Sequence, residues 1–402
     1  MSRVALPAHW RVVDGVPTAW FDAPSLLEGA ELAGRVLGLS PEAAIDVRPS
    51  GTRVRVPTEA LTEAVSDAAR DLGLNPDPSV LQAVSVVIES PDPSAVRPFW
   101  QRALGYEPAD DGVLADPLRR DPTFRFRRSA EVRPLRNRIH VDVVRPAAEV
   151  KRADVGPASG AYGVCHADAD GNEVDVVPGG PLGEDAATGD WQNVFGAVAC
   201  YRTQSVPQQR DLAAEAARLA DAAGFPLLVD LREGVVILDS GKDQWDAETH
   251  GLDADFLELA AHVQSAAHDL GATADHRLPR FVQLFLDAAD VGALRTFWAR
   301  ALGYVEDPRE GVTDIYDPRR LGPEVVLQPI DTSQTDRLAQ RNRLLVEIAV
   351  PADRAGRRVE ELVMAGGRLL DGRDESWVVA DPEGNELVVI AGSPGLAAGR
   401  AR

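Results

Sequence analysis

Apolar positions along this chain fall into short runs and longer amphipathic stretches, and their order recurs. Val84-Ser85-Val86-Val87-Ile88 and Phe281-Val282-Gln283-Leu284-Phe285-Leu286 are β-branched or aromatic runs of strand length. Helical spacing follows from about 94 to 104 and from 291 to 302, with Gly105 and Gly303 just past each end, where a left-handed residue is wanted. Strands are predicted at 123–127 and 324–328, and again at 138–144 and 343–350. A helix over 354–365 and strands at 376–380 and 386–390 complete the second set, giving a β-α-β-β-β pattern twice per domain. Ahead of each set the pattern differs. Hairpins are predicted at 9–21 and 44–56 and helices at 25–37 and 58–72, with Thr58 as an N-cap. A helix at 206–223, a hairpin at 227–238 and a helix at 253–270 repeat this, as an α+β sandwich of about 80 residues.

The repetition extends to individual residues. Phe99-Trp100-Gln101-Arg102-Ala103-Leu104-Gly105-Tyr106 returns as Phe297-Trp298-Ala299-Arg300-Ala301-Leu302-Gly303-Tyr304. Arg136-Asn137-Arg138 returns as Arg341-Asn342-Arg343, and Asp170-Gly171-Asn172-Glu173 as Glu383-Gly384-Asn385-Glu386. Three ordered matches with lengthening loops indicate a tandem duplication. The Gly/Pro-rich stretch 178–189 is expected to link the halves. Four units follow: 1–80, 81–180, 190–275 and 276–395.

The chain has 402 residues, 42 basic and 63 acidic, for a net charge of −21. That length suits two to four domains. The charge disfavours nucleic acid and anionic membrane as partners. Two cysteines, Cys165 and Cys200, make no disulfide framework. With no signal-peptide core and no apolar run of spanning length, a cytoplasmic protein is expected.

Four ordered motifs occur in both halves: an Asp (Asp92, Asp290) seven residues before Phe-Trp, Leu-Gly-Tyr, Asn-Arg, and Gly-Asn-Glu. In these, residues 81–180 and 276–395, about half the chain, resemble the vicinal oxygen chelate superfamily of glyoxalases, bleomycin-resistance proteins and extradiol dioxygenases. The preceding units are similar, more weakly, to pterin carbinolamine dehydratase. The fold class implied is a tandem α+β arrangement in which each dehydratase-like sandwich precedes a glyoxalase-like paired βαβββ domain. The dehydratase family's paired His-His-Pro has no counterpart in 41–46 or 223–228, so that acid/base machinery is expected to be missing.

The glyoxalase resemblance implies one divalent metal in a cupped sheet, with ligands from first and last strands. Its positions fall on Ser85, His140 and Glu173 in the first copy, and on Gln283, Leu345 and Glu386 in the second. The expectation is an incomplete metal site of His140 and Glu173 in domain 1, since serine is a poor ligand, and none in domain 2, where leucine offers no lone pair. Ser85, Arg138, His140, Glu173, Gln283 and Glu386 are the candidate ligand-binding residues. His140, Arg138 and Asp142 should share a strand face. A lone histidine between apolar neighbours also serves as hydrogen-bonded structure, and the Gly-Asn motifs are turn signals first. Two functions stay open: a metal-assisted lyase or isomerase of the superfamily, and a non-catalytic small-molecule binding or sequestration protein. Either takes a small-molecule partner, and the two glyoxalase-like domains could pack as an intramolecular pseudo-dimer.

Overall fold

The computed structural model describes residues 6–109, 112–246 and 254–392. It is mixed α+β and divides into two compact units that do not follow the halves of the sequence. One comprises residues up to 81, 145–148 and 178–281; the other comprises 82–144, 149–177 and the chain from 282 onward. Among the described residues no helix is long and apolar enough to cross a membrane.

In the first unit, two strands, a helix, two strands and a helix occur twice. The first set is Arg11–Val13, Val16–Asp22, Leu26–Leu39, Ala44–Arg48, Gly51–Arg55 and Thr62–Asp71. The second is Gln192–Val194, Gly196–Arg202, Val206–Ala223, Leu228–Arg232, Val235–Asp239 and Phe256–Asp269. Ser25 and Ser205 accept backbone N–H bonds from Glu28 and Gln208 and so start the long helices. Thr58 makes no such bond. A 3-10 turn at Glu59–Leu61 intervenes, and the helix proper begins at Thr62.

Strands Ala44–Arg48 and Leu228–Arg232 join the two sets antiparallel, with Asp46 directly opposite Asp230. Facing like charges would destabilise the pair. Arginines resolve the conflict reciprocally: Arg48 Nη1 lies 2.6 Å from Asp230 Oδ1, and Arg232 Nη2 lies 2.5 Å from Asp46 Oδ1. Burial alone would raise the Asp46 pKa, but Arg232, Arg53, Arg55 and Arg48 together hold this carboxyl well below its ordinary value.

The stretch expected to be a linker is largely ordered structure. Strand Glu173–Pro181 runs into it, and its end pairs with Gln192–Val194. Gly179 is there for close approach, since a Cβ would lie 2.6 Å from the Asn193 carbonyl oxygen.

The second unit holds strands of two sheets, each mixing the halves of the sequence. One runs Arg368–Arg373, Ser376–Ala380, Glu386–Ala391, Leu344–Val350, Ala83–Ser90, Thr123–Arg128, Leu114–Ala115 and Glu107–Pro108. In the other, Ile139–Pro146 pairs with both Glu173–Pro181 and Phe281–Ala288, and Phe281–Ala288 pairs in parallel with Glu324–Pro329. The early strands of each half therefore pair with the late strands of the other half.

The duplicated motifs hold this exchange in place. Trp100 Nε1 donates to Asp168 at 2.9 Å, and Asp168 accepts from the backbone and side chain of Asn172. Asn172 Oδ1 accepts from Asn137 Nδ2 at 2.8 Å, and Asn137 Oδ1 accepts the backbone N–H of Arg343, from the other half, at 2.9 Å. The second copy mirrors this. Trp298 donates to Asp381, Asn385 binds Asp381, Asn342 donates to Asn385, and Asn342 Oδ1 accepts the Arg138 N–H at 2.8 Å. The Phe-Trp, Arg-Asn-Arg and Gly-Asn repeats are thus structural.

Removing one member of the buried Asp46 cluster leaves arginines unpaired in the interior. Asp46→Ala should destabilise the first unit by about 3–5 kcal/mol, read as a lowered denaturant midpoint. An unchanged midpoint would refute the role given to this cluster.

Candidate metal centre

Alternation along the strands sorts the candidate residues by face. Ile139, Val141 and Val143, Val174 and Val176, and Val282, Leu284 and Leu286 all enter the hydrophobic core. Their neighbours therefore point to the opposite face: His140 and Asp142, Glu173 and Asp175, Gln283 and Phe285. On that face one ligand atom from each of His140, Asp142 and Asp175 lies within 4.8 Å of the others. Among the described residues this is the one such trio of histidine, cysteine and carboxylate side chains.

The trio is closely supported. His140 Nε2 lies 3.7 Å from Asp142 Oδ1. The His140 ring stacks on Phe285 at 4.8 Å between centroids, tilted by 14°. Burial lowers the His140 pKa, against the opposing pull of Asp175 and Asp287, which favours the neutral imidazole that a metal requires. Asp142 Oδ2 accepts from Gln283 Nε2 at 3.1 Å. Gln283 is buried, and its Oε1 has no hydrogen-bond partner. One imidazole nitrogen, two carboxylates and an unsatisfied amide oxygen make a donor set whose chemistry fits a divalent metal. Cys165 stands opposite Asp175, and burial, Glu173 and Asp175 push its thiol up to about 11.

The structure regroups the sequence candidates. His140 and Glu173 share that face, but Glu173 is outside the trio and is held by Arg136 Nε at 2.6 Å. Ser85 does not join His140. It stands in the other sheet opposite Glu347, accepting from Thr123 Oγ1 at 3.0 Å. Gln283 does not join Glu386; it joins His140 and Asp142, because its strand pairs with Ile139–Pro146. Arg138 is buried and tied to Glu383, with a bond to its carbonyl oxygen at 3.3 Å, rather than reaching a cup rim. Glu386 is bound by Arg341 Nε at 2.7 Å.

The other sheet is furnished differently. Leu345 faces Val87, and Glu347 pairs with Arg125 at 3.3 Å. Asp142 and Asp175 were missed as ligand candidates. The alternation rule that places Asp142 beside His140 also places Asp175 beside Glu173, and that was the available signal.

With this geometry in view, the comparisons with known proteins fall into place. A model of the glyoxalase-like domain matches residues 85–177 and 283–390, half of the chain, and the protein belongs to that family. No curated relative matches the sequence. Among solved structures, the fold is similar to glyoxalase I from Zea mays at 10% identity, covering 77% of this chain and 93% of that one, with a TM-score of 0.35. A glyoxalase/bleomycin resistance protein/dioxygenase family enzyme from Burkholderia phytofirmans PsJN matches at 16% identity over 26% of this chain and 92% of its own, with a TM-score of 0.22. The fosfomycin resistance protein FosX from Listeria monocytogenes, solved with Mn(II) and a dihydroxypropylphosphonic acid, matches at 14% identity over 27% and 87%, with a TM-score of 0.23.

If Gln283 supports the centre and Ser85 does not, their alanine variants will separate. Gln283→Ala should weaken manganese(II) binding about 10–100-fold, measured by calorimetric titration. Ser85→Ala should leave it unchanged, and equal effects of the two would contradict this grouping.

Proposed function

We propose that this protein is a metal-dependent lyase or isomerase of the glyoxalase superfamily, acting on a small molecule in the cup lined by His140, Asp142 and Asp175. The observation that carries the reading is the convergence of those three side chains beside the unsatisfied oxygen of Gln283. A divalent metal bound there would supply Lewis acidity toward a substrate oxygen bearing developing negative charge. His140, Asp142 and Asp175 would hold it, with Gln283 as a fourth donor. Phe285 fixes the imidazole plane and excludes water from one side of it. Glu173 shares the face and keeps its orientation through Arg136.

The first unit is, in this reading, a pair of degenerate carbinolamine-dehydratase-like repeats without dehydratase activity. Its support is the twofold strand-strand-helix order together with the missing histidines in 41–46 and 223–228. Pterin dehydration assays should show no turnover, and turnover lost on mutating either stretch would oppose this part.

Elemental analysis of the purified chain tests the main reading. About one divalent metal per chain is expected, falling at least tenfold in occupancy in His140→Ala and Asp175→Asn. A chain that neither retains nor takes up manganese, nickel or zinc would end the proposal. Tight ligand binding with full metal content but no turnover of any tested substrate would favour sequestration instead.

A further inference from the structure

The outer edge of the sheet that lacks the metal trio is unusually open. Among the described residues strand Arg368–Arg373 pairs only with Ser376–Ala380, and all six of its residues are exposed. A register shift between Leu369 and Asp371 leaves Leu370 without a partner in the neighbouring strand. Leu369 and Leu370 are 48% and 44% exposed, and Met364, at the end of the preceding helix Ala352–Met364, is 77% exposed. An exposed strand edge carries unpaired backbone N–H and C=O groups and is a template for another strand.

The order of side chains along this edge is self-complementary. If two such strands run antiparallel about a twofold axis between residues 369 and 370, Arg368 faces the other copy's Asp371. Leu369 then faces Leu370, and Gly367 faces Gly372. Both charge contacts are attractive and both apolar residues are covered. Arg368 has no ion-pair partner among the described residues, whereas Asp371 is held by the exposed Arg373 at 3.2 Å and by the backbone N–H of Gly372 at 2.9 Å. We propose that Arg368–Arg373 is a self-association edge, through which a second copy of this chain adds its own strand antiparallel in that register. A contact of one strand per copy is small by the standards of stable dimers, so the pair should be weak, with a dissociation constant on the order of micromolar. This inference does not depend on the chemistry of the metal cup.

Sedimentation velocity on the full chain, from about 1 to 200 µM, tests it. The mass should rise toward that of two chains with concentration. Arg368→Asp, which sets two carboxylates against each other, should weaken association at least tenfold. Adding Asp371→Arg to that variant should restore it, because the exchanged charges match again. Leu370→Lys should also abolish association and serves as the second probe if Arg368→Asp folds poorly by circular dichroism. A monomer at every concentration overturns the proposal, as a guarded edge or an edge covered by the chain's own terminus would give. A dimer indifferent to all three changes overturns it as well, because association would then use another surface.

Discussion

The second unit depends on a reciprocal clasp between two asparagines. Asn137 accepts the backbone N–H of Arg343, and Asn342 accepts that of Arg138. Each bond fixes the entry of one central strand from the opposite half. Each asparagine is itself oriented by a second asparagine, an aspartate and a tryptophan. Each tryptophan, aspartate and asparagine of this clasp has a partner, which is the condition under which a buried network specifies one arrangement. The most repeated residues are therefore those that hold the halves together. The residues able to do chemistry are the ones that differ between them.

Exchange between halves then makes the sheets unequal. The sheet built on Ile139–Pro146 and Phe281–Ala288 collects His140, Asp142, Asp175 and Gln283 on one face. The sheet built on Ala83–Ser90 and Leu344–Val350 receives Leu345 against Val87 and a pair between Arg125 and Glu347.

Much of this architecture was legible in the sequence. The strand runs at 84–88 and 281–286 and the helices ending at Gly105 and Gly303 stand where the pattern places them. Local chemistry determines these: β-branched runs, aspartate caps and left-handed glycines. Partner choice was not legible, because two similar copies offer the same pairing face to either neighbour. For that reason Ser85 and Gln283 were grouped with strands other than those they meet. Asp142 and Asp175 needed only the two-residue period carried one step further. Thr58 misled because its residue type suits a cap while the chain turns once more before the helix. Gly179 and Gly180 resembled a linker because the sequence does not show what a glycine is close to.

The pairing of Ala83–Ser90 with Leu344–Val350 has a consequence during synthesis. The ribosome makes the earlier strand about 250 residues before its partner exists. At roughly 5–20 residues per second that interval is on the order of 13–50 s. Throughout it a run as apolar as Val84-Ser85-Val86-Val87-Ile88 has no permanent neighbour on one side. The nascent chain must shelter that edge in a temporary pairing or leave it to a chaperone.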